Sequence, residues 1–253
     1  MKLKERRNDL LRELEEMGRV VIKEFAKKSE VSEMTIRRDL NKLSELGLVT
    51  LVHGGAVFNA GGAFTYEVTF RERQMQREKN LLGQYCATLI NEGNAVWLHC
   101  GSTLTCIADA LLTRQNIAVL TNSLPILNVL SSSRSIQLIA SPGIYETAHK
   151  AFFGDMTQRM VKNFHIDVAF FGAEALSIEN GFMASLPADA GLILAVMESA
   201  RKKIIVADHT KINKTFFIKI CDLREFDQIV TDNEADEDFV KKARRMGIEV
   251  TQL

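Results

Sequence analysis

The chain has 253 residues, which suits a small domain joined to a larger one, and its 46% hydrophobic and 25% charged residues are typical of globular proteins. Its 32 basic and 32 acidic residues leave a formal net charge of zero, which excludes a bulk polycation. Residues 1–58 carry 12 Lys and Arg against 10 Asp and Glu, a net charge of +2, and the remainder carries 20 against 22, a net charge of −2. Any affinity for nucleic acid therefore depends on the placement of a few charges, and on several copies of the domain acting together.

The same sequence disfavours membrane, secreted and metal-binding proteins. The N-terminus is charged throughout and no apolar run reaches about 18 residues, so we expect no signal peptide, no membrane span and a cytoplasmic location. The four cysteines form no CxxC pair and show no metal-ligand spacing, so we expect buried free thiols in a reducing compartment. No cofactor and no metal ion is predicted.

Two helices and a turn are predicted at the start of the chain. The spacing of the leucines predicts a first helix over Leu3–Met17, which Gly18 ends. After a short extended step, a second helix covers Ile22–Lys28, and the turn Ser29–Val31 leads into a third helix. Two short helices joined by a tight turn match a helix-turn-helix, whose second helix enters the major groove of DNA.

The third helix is basic on its outer face. Ser32 is a good N-cap because its hydroxyl accepts a hydrogen bond from an orphan backbone N–H, and Gly47 is suited to the C-cap. The inner face is apolar, with the residues Ile36, Leu40, Leu43 and Leu46. Arginine can bind guanine edges or phosphates and asparagine can pair with adenine, whereas a solvated helix without a ligand is the alternative. The candidate DNA-contacting residues of this helix are Ser32, Met34, Thr35, Arg37, Arg38, Asn41 and Lys42.

A short hairpin is predicted after the basic helix. Leu48–Val52 alternates weakly as a strand, and His53–Ala56 is a tight turn. Such a hairpin is typical of a wing, which would place His53 near a phosphate or the minor groove. The alternative for His53 is a turn residue with no ligand.

These motifs resemble a known family. The run VSEMTIRRDLNKL followed by the HGGA turn is similar to the DeoR family of bacterial sugar-catabolism repressors. The resemblance implies a winged helix-turn-helix DNA-binding domain over residues 1–58.

Residues 59–80 are predicted to be a linker and connecting helix, and residues 81–253 a second domain. Asn59–Ala63 is a plausible flexible joint, and Tyr66–Asn91 has helical character. The first part of that helix is highly charged, with acids and bases interspersed. A solvated connecting helix is therefore favoured over a second nucleic-acid contact.

Strands and helices alternate in the second domain, which predicts a Rossmann-like parallel α/β sheet covered on both faces. The predicted strands are Ala95–His99, Ile117–Leu120, Ile136–Ala140, Asp167–Gly172, Lys203–Ala207, Gln228–Thr231 and Ile248–Val250. The predicted helices between them are Leu104–Leu112, Leu124–Leu130, Phe152–Asn163, Asp189–Ala200 and Asp236–Met246.

Small polar residues collect where these strands end, which is where parallel sheets bind ligands. The first strand leads through Cys100 and Gly101 into a helix that begins with two hydroxyl residues, a combination that suits a phosphate. Ordinary polar loops and helix caps are the alternative explanation for each segment alone. The segments are residues 100–103, 121–123, 141–143 and 207–211.

The same segments extend the family resemblance across most of the chain. By that resemblance the second domain is similar in fold to ribose-5-phosphate isomerase and binds a phosphorylated sugar as inducer. The resemblance implies that Gly101, Ser102 and Thr103 hold the phosphate. Around them it places a pocket whose candidate residues are Asn122, Ser123, Gly143, Asp208, Lys211 and, more weakly, Lys79.

The sequence departs from the family pattern at three places. Two residues before the Gly of GST, where the family usually has an acid, this chain has His99. After the third strand the family's GG is replaced by Pro142–Gly143, and Ile193 stands where a lysine is common. These departures put the ordinary inducer in question, and indicate a different sugar or a weakened sensor.

We expect a transcriptional repressor, with double-stranded operator DNA and a phosphorylated sugar as partners and a homodimer or homotetramer as the assembly. The alternative is a sugar-phosphate isomerase with an appended helical domain. Isomerases of this fold carry two Asp in a D-G-A-D run, where this chain has Phe171–Glu174, so we expect binding without catalysis. A DNA-binding protein without an effector is disfavoured by the polar sheet edge.

Overall fold

The computed structural model describes residues 3–45, 48–58 and 75–253. The chain divides into two compact units, residues 1–66 and residues 67–253. The predicted joint at residues 59–63 lies outside the described residues, as do Leu46 and Gly47 of the third helix.

The first unit is a helix-turn-helix followed by a three-stranded sheet. Its elements are α1 (Leu3–Met17), β1 (Arg19–Val21), α2 (Ile22–Lys28), α3 (Glu33–Glu45), β2 (Val49–Val52) and β3 (Gly55–Phe58). The strands are antiparallel in the order β1-β3-β2. The predicted bounds of the first two helices are confirmed.

Apolar residues at helical spacing make the core of this unit. Leu10 and Leu14 of α1 are fully buried, as are Ile36 and Leu40 of α3. The sheet packs closely at Gly55, because a Cβ there would lie 2.1 Å from the carbonyl oxygen of Val20. Only glycine therefore allows β3 to pair with β1 at this point.

The second unit is an α/β domain. Its helices are α4 (Gln76–Thr88), α5 (Ser102–Leu111), α6 (Leu124–Leu130), α7 (Asp155–Val161), α8 (Pro187–Ser199) and α9 (Glu237–Arg245). Its strands are β4 (Ala95–Leu98), β5 (Ile117–Thr121), β6 (Ile136–Ala140), β7 (Ile144–Glu146), β8 (Ala151–Phe153), β9 (Ile166–Gly172), β10 (Ala175–Ser177), β11 (Gly181–Ala184), β12 (Ala200–Val206), β13 (Ile218–Cys221), β14 (Gln228–Thr231) and β15 (Glu249–Gln252).

Seven parallel strands form the central sheet, in the order β15-β14-β12-β9-β4-β5-β6. Residues of one strand alternate between two cores, so that Trp97 lies in one hydrophobic cluster and Val96 and Leu98 lie in the other. Residues of α7, α8 and α9 belong to the first cluster, and residues of α4, α5 and α6 to the second. The predicted parallel sheet covered on both faces is confirmed.

Two small antiparallel sheets were not predicted. One is the hairpin β7–β8, and the other has the order β10-β11-β13. The predicted helix Phe152–Asn163 is wrong at its start, because Ala151–Phe153 pairs with β7 and the helix begins only at Asp155. Gly154, at φ +119, separates the strand from the helix.

The cysteines are free thiols, and three of the four are buried, with Cys221 only partly so. Within the described ranges, no helix combines the length and apolar character needed to cross a membrane. Over the same ranges, no group of three or more His, Cys, Asp or Glu has a metal-binding arrangement.

Candidate functional site

The basic helix α3 begins as its sequence predicts. The Ser32 hydroxyl accepts a hydrogen bond from the backbone N–H of Thr35 at 3.2 Å, and the two hydroxyls lie 2.9 Å apart. Ser32 therefore caps the helix, with Thr35 as its partner. Both side chains have this local role whether or not a nucleic acid is present.

The outer face of α3 is exposed. Ile36, Leu40 and Leu43 are buried beneath it, so the polar residues point away from the core of the unit. The predicted contact residues that are exposed on this helix are Ser32, Met34, Arg37, Arg38, Asn41 and Lys42, whereas Thr35 is half-buried. The cations and the amide on this face are groups suited to phosphates and base edges.

An acidic residue on the inner side of α3 was not predicted to have a role. Asp39 is 1% exposed, and its two carboxylate oxygens accept hydrogen bonds from the Nε atoms of Arg6 and Arg7, each at 2.7 Å. These bonds join α1 to α3 across 33 and 32 residues of sequence. These bonds fix the orientation of α3. The two adjacent arginines of α1 are the sequence feature that could have indicated a buried acidic partner.

The wing is a hairpin of β2 and β3. His53 lies exposed in its turn, beside Gly54 at φ +79. Gly55 and Ala56, predicted as part of the turn, are residues of β3 and pair with Val52 and Leu51. The turn is therefore shorter than predicted, and His53 is at its tip.

A pocket in the second unit lies where β4 leads into α5. Gly101, at φ +137, lets the backbone turn directly from the strand into the helix. Ser102 and Thr103 are buried in the first turn of α5, whose leading N–H groups lack partners within the helix. This arrangement places amide donors and hydroxyls at a positive helix end, where an anion is stabilised.

Six of the nine predicted effector residues line this pocket. They are Lys79, Gly101, Ser102, Thr103, Asp208 and Lys211. Lys79 comes from α4 and is 3% exposed, and Lys211 ends a short 3-10 helix after β12. Asp208 caps that 3-10 helix by accepting hydrogen bonds from the backbone N–H and the hydroxyl of Thr210. Elements far apart in sequence thus bring two cations to the helix start.

The other three predicted residues lie outside this lining. The Asn122 amide donates to the carbonyl of Phe152 at 3.2 Å, and the Ser123 hydroxyl caps α6. At Gly143, a Cβ would lie 2.6 Å from the carbonyl oxygen of Phe153. The structure gives these residues places beside the β7–β8 hairpin, and their contact with an effector stays a prediction.

A buried imidazole–carboxylate pair is an unpredicted part of the pocket. His99 Nε2 lies 2.7 Å from Asp189 Oδ1, and both residues line the pocket. Burial lowers the pKa of His99, but Cys100 and Asp189 raise it more through their charges and hydrogen bonds, to about 10. The sequence marked His99 as unusual, but only the fold brings Asp189 of α8 to it.

A second imidazole, His149, lines the same pocket together with Glu174. His149 Nδ1 lies 2.7 Å from Glu146, and its Nε2 lies 3.5 Å from Glu174. Burial raises the pKa of Glu146, but hydrogen bonds from His149 and from nearby backbone lower it more, to a net value below its usual range. Glu174 also accepts a hydrogen bond from the backbone N–H of Ser185 at 2.6 Å.

Comparison with known proteins identifies both units. A family model described as the DeoR-like helix-turn-helix domain matches residues 6–61, and one described as the DeoR C terminal sensor domain matches residues 74–233. Among solved structures, ribose 5-phosphate isomerase A from Methanocaldococcus jannaschii matches this chain with a TM-score of 0.41 and 14% identity, over 54% of each chain.

Three curated relatives are similar over nearly their whole length. The putative aga operon transcriptional repressor of Escherichia coli O157:H7 is 27% identical, over 97% of this chain and 92% of the relative. The repressor GlcR of Bacillus subtilis is 28% identical, over 94% and 91%. The lactose phosphotransferase system repressor of Streptococcus mutans is 28% identical, over 96% and 98%. The regulator interpretation fits these relatives better than the isomerase alternative, and the chain belongs to the DeoR family of DNA-binding transcriptional regulators.

Proposed function

We propose that this regulator represses a carbohydrate-catabolism operon and releases its operator when a phosphorylated sugar binds the second unit. The observation that supports the sensor role most strongly is the convergence of Lys79 and Lys211 on the buried start of α5. The proposal includes a homodimer or homotetramer, because paired recognition helices match successive major grooves. It also includes a cytoplasmic location.

On the DNA side, α3 enters the major groove. Arg38 and Asn41 lie on its exposed face and would bind base edges, while Arg37 and Lys42 would bind phosphates. His53 at the wing tip would contact the backbone or the minor groove. The small net charge of residues 1–58 makes several copies of the unit necessary for tight binding.

On the effector side, the phosphate would bind at Gly101, Ser102 and Thr103. Amide N–H groups at a helix start and two hydroxyls are ready donors for its oxygens, and the nearby lysines offset its charge. The ligand shifts the regulator between states only by its difference in affinity for them.

The run Phe171–Glu174 does not supply the carboxylate pair of the D-G-A-D run of the isomerases, although Glu174, Asp189 and Asp208 line the pocket. Phe171, near the end of β9, is fully buried in the hydrophobic cluster and packs edge-on against Phe226, with ring centroids 5.5 Å apart. Glu174 of the same run lines the pocket, but its carboxylate accepts the bond from Ser185. The arrangement favours binding over proton abstraction.

The test uses the full-length chain and DNA sites selected from a random duplex library. Fluorescence anisotropy at fixed salt measures affinity for the selected site, and a panel of phosphorylated sugars is then added. We expect Arg38→Ala to weaken binding at least about fivefold, because a two-pronged base contact contributes about 1–3 kcal/mol. Arg245→Ala is the matched control, since Arg245 is an exposed arginine of the second unit. The proposal is contradicted if no duplex is selected from the library, or if no phosphorylated sugar lowers the affinity for the selected site.

A further inference from the structure

The pocket contains a buried imidazole with one nitrogen unused. His99 is 2% exposed, and its Nε2 lies 2.7 Å from Asp189. Its Nδ1 makes no hydrogen bond of normal geometry with any residue in the described part of the chain. The neighbouring Cys100 has a charge and a side-chain hydrogen-bonding contact that raise the pKa of the imidazole, but that contact falls outside normal hydrogen-bond geometry and leaves Nδ1 unsatisfied. A buried nitrogen without a partner is unusual and calls for one.

The protonation of His99 decides what this nitrogen can bind. Asp189 as a carboxylate only accepts, so Nε2 donates to it. The pKa of His99 is raised to about 10, so the imidazolium persists through neutral pH and loses its proton only as the pH rises through that value. Nδ1 therefore carries a hydrogen, and its missing partner is an acceptor.

The other pocket groups leave this requirement unmet. Asp189 is engaged by His99, Asp208 by Thr210, and Glu174 by the backbone of Ser185. The remaining charged or titratable groups that line the pocket are Cys100, His149, Lys79 and Lys211, and Cys100 does not reach normal hydrogen-bond geometry with Nδ1. The rings of Trp97 and Phe171 lie beside the imidazole, with centroids 6.3 and 6.1 Å away. The acceptor must therefore come from a ligand.

We propose that His99 is a specificity-determining residue, whose Nδ1–H selects a phosphorylated ligand with an oxygen acceptor beyond the phosphate, most favourably a carboxylate. An ammonium at the same place is repelled. Asp189 is a positioning residue that orients the imidazole and keeps it charged. This inference rests on the proposed sugar-phosphate function and specifies the class of sugar, a phosphorylated sugar acid.

Isothermal titration of the full-length chain at pH 7.5 tests this assignment. The probes are inorganic phosphate, glucosamine 6-phosphate, and two pairs: 6-phosphogluconate with glucose 6-phosphate, and 3-phosphoglycerate with glyceraldehyde 3-phosphate. We expect an acid to bind more tightly than its aldehyde partner. His99→Gln should lower the affinity for that acid at least about tenfold, while the affinity for inorganic phosphate changes less than about twofold. His165→Gln is the matched control, because His165 is an exposed histidine of the same unit and does not line the pocket.

The outcomes separate the two proposals. If no sugar phosphate binds more tightly than inorganic phosphate, the proposed function fails. If sugar phosphates bind but His99→Gln leaves the preference for acids unchanged, the role assigned to His99 is wrong. The same holds if His99→Gln lowers the affinity for inorganic phosphate as much as the affinity for the acid. Circular dichroism establishes that each variant is folded.

A pH profile of Asp189→Asn provides a second test that a purely structural role would not satisfy. Asp189→Asn removes the charge and the hydrogen bond by which this carboxylate raises the pKa of His99, so only Cys100 then opposes the lowering by burial. Affinity relative to the parent chain should therefore fall as the pH rises from 6 to 8.5. The affinity of the variant is divided by the affinity of the parent chain at each pH, which removes the effect of titrating the ligand's own phosphate. A ratio that does not change with pH would overturn the inference.

Discussion

Asp39→Asn tests whether the ion pairs beneath the recognition helix hold it in place. The substitution keeps the size of the side chain and removes the charge that faces Arg6 and Arg7. The Arg6 side chain is only 8% exposed, so the change leaves a buried cation without its counter-ion, which costs about 3–5 kcal/mol. Arg7, at 32% exposure, contributes less because water screens its charge.

Hydrogen exchange followed by mass spectrometry measures this loss within the full-length chain. Amides of α1 and α3 should exchange roughly two to three orders of magnitude faster, whereas peptides of the second unit should not change. Asp9→Asn is the control, because its bond with Arg12 lies at the surface, with side chains 41% and 69% exposed, and contributes about 0–1 kcal/mol. Equal effects of the two substitutions would refute the reasoning.

Three further predictions address the wing, the pocket and the thiols. Gly55→Ala should destabilise the wing by about 2 kcal/mol or more, because its Cβ meets the Val20 carbonyl; unchanged exchange protection in β1 and β3 would contradict this. Ser102→Ala should keep DNA affinity but require about tenfold more sugar phosphate for release, and a normal response in the anisotropy titration removes Ser102 from the pocket. Burial is the largest cause of pKa values of about 12 for Cys86 and Cys221, so at pH 8 iodoacetamide should modify neither before unfolding in urea, as mass spectrometry will show.

Local signals in the sequence were sufficient for most of the fold. The helix Ile22–Lys28 and its three buried apolar residues follow from periodicity, and the N-cap at Ser32 from a short-range preference. The prediction over Phe152–Asn163 failed because helical spacing was followed through Gly154, while pairing with a non-adjacent strand fixed Ala151–Phe153. Local periodicity does not reveal a strand partner.

The candidate site was predictable only in part. The residues Gly101–Thr103 follow a strand and begin a helix, so their role could be inferred locally. The partner of His99 lies 90 residues away, and the partners of Asp39 more than 30 residues away, so no local pattern links the members of either pair. Charged groups buried in pairs are therefore what sequence reasoning found hardest to predict.

The hydrogen bonds at the two ends of the wing have a mechanical consequence. The Ile22 N–H donates to the Gly54 carbonyl, and the Phe58 N–H donates to the Gly18 carbonyl, each at 2.9 Å. The wing is thereby tied to the beginning of α2 and to the corner that follows α1. Force applied at Phe58, the end of β3, therefore reaches the Gly18 corner directly through the Phe58–Gly18 hydrogen bond, without passing along α3.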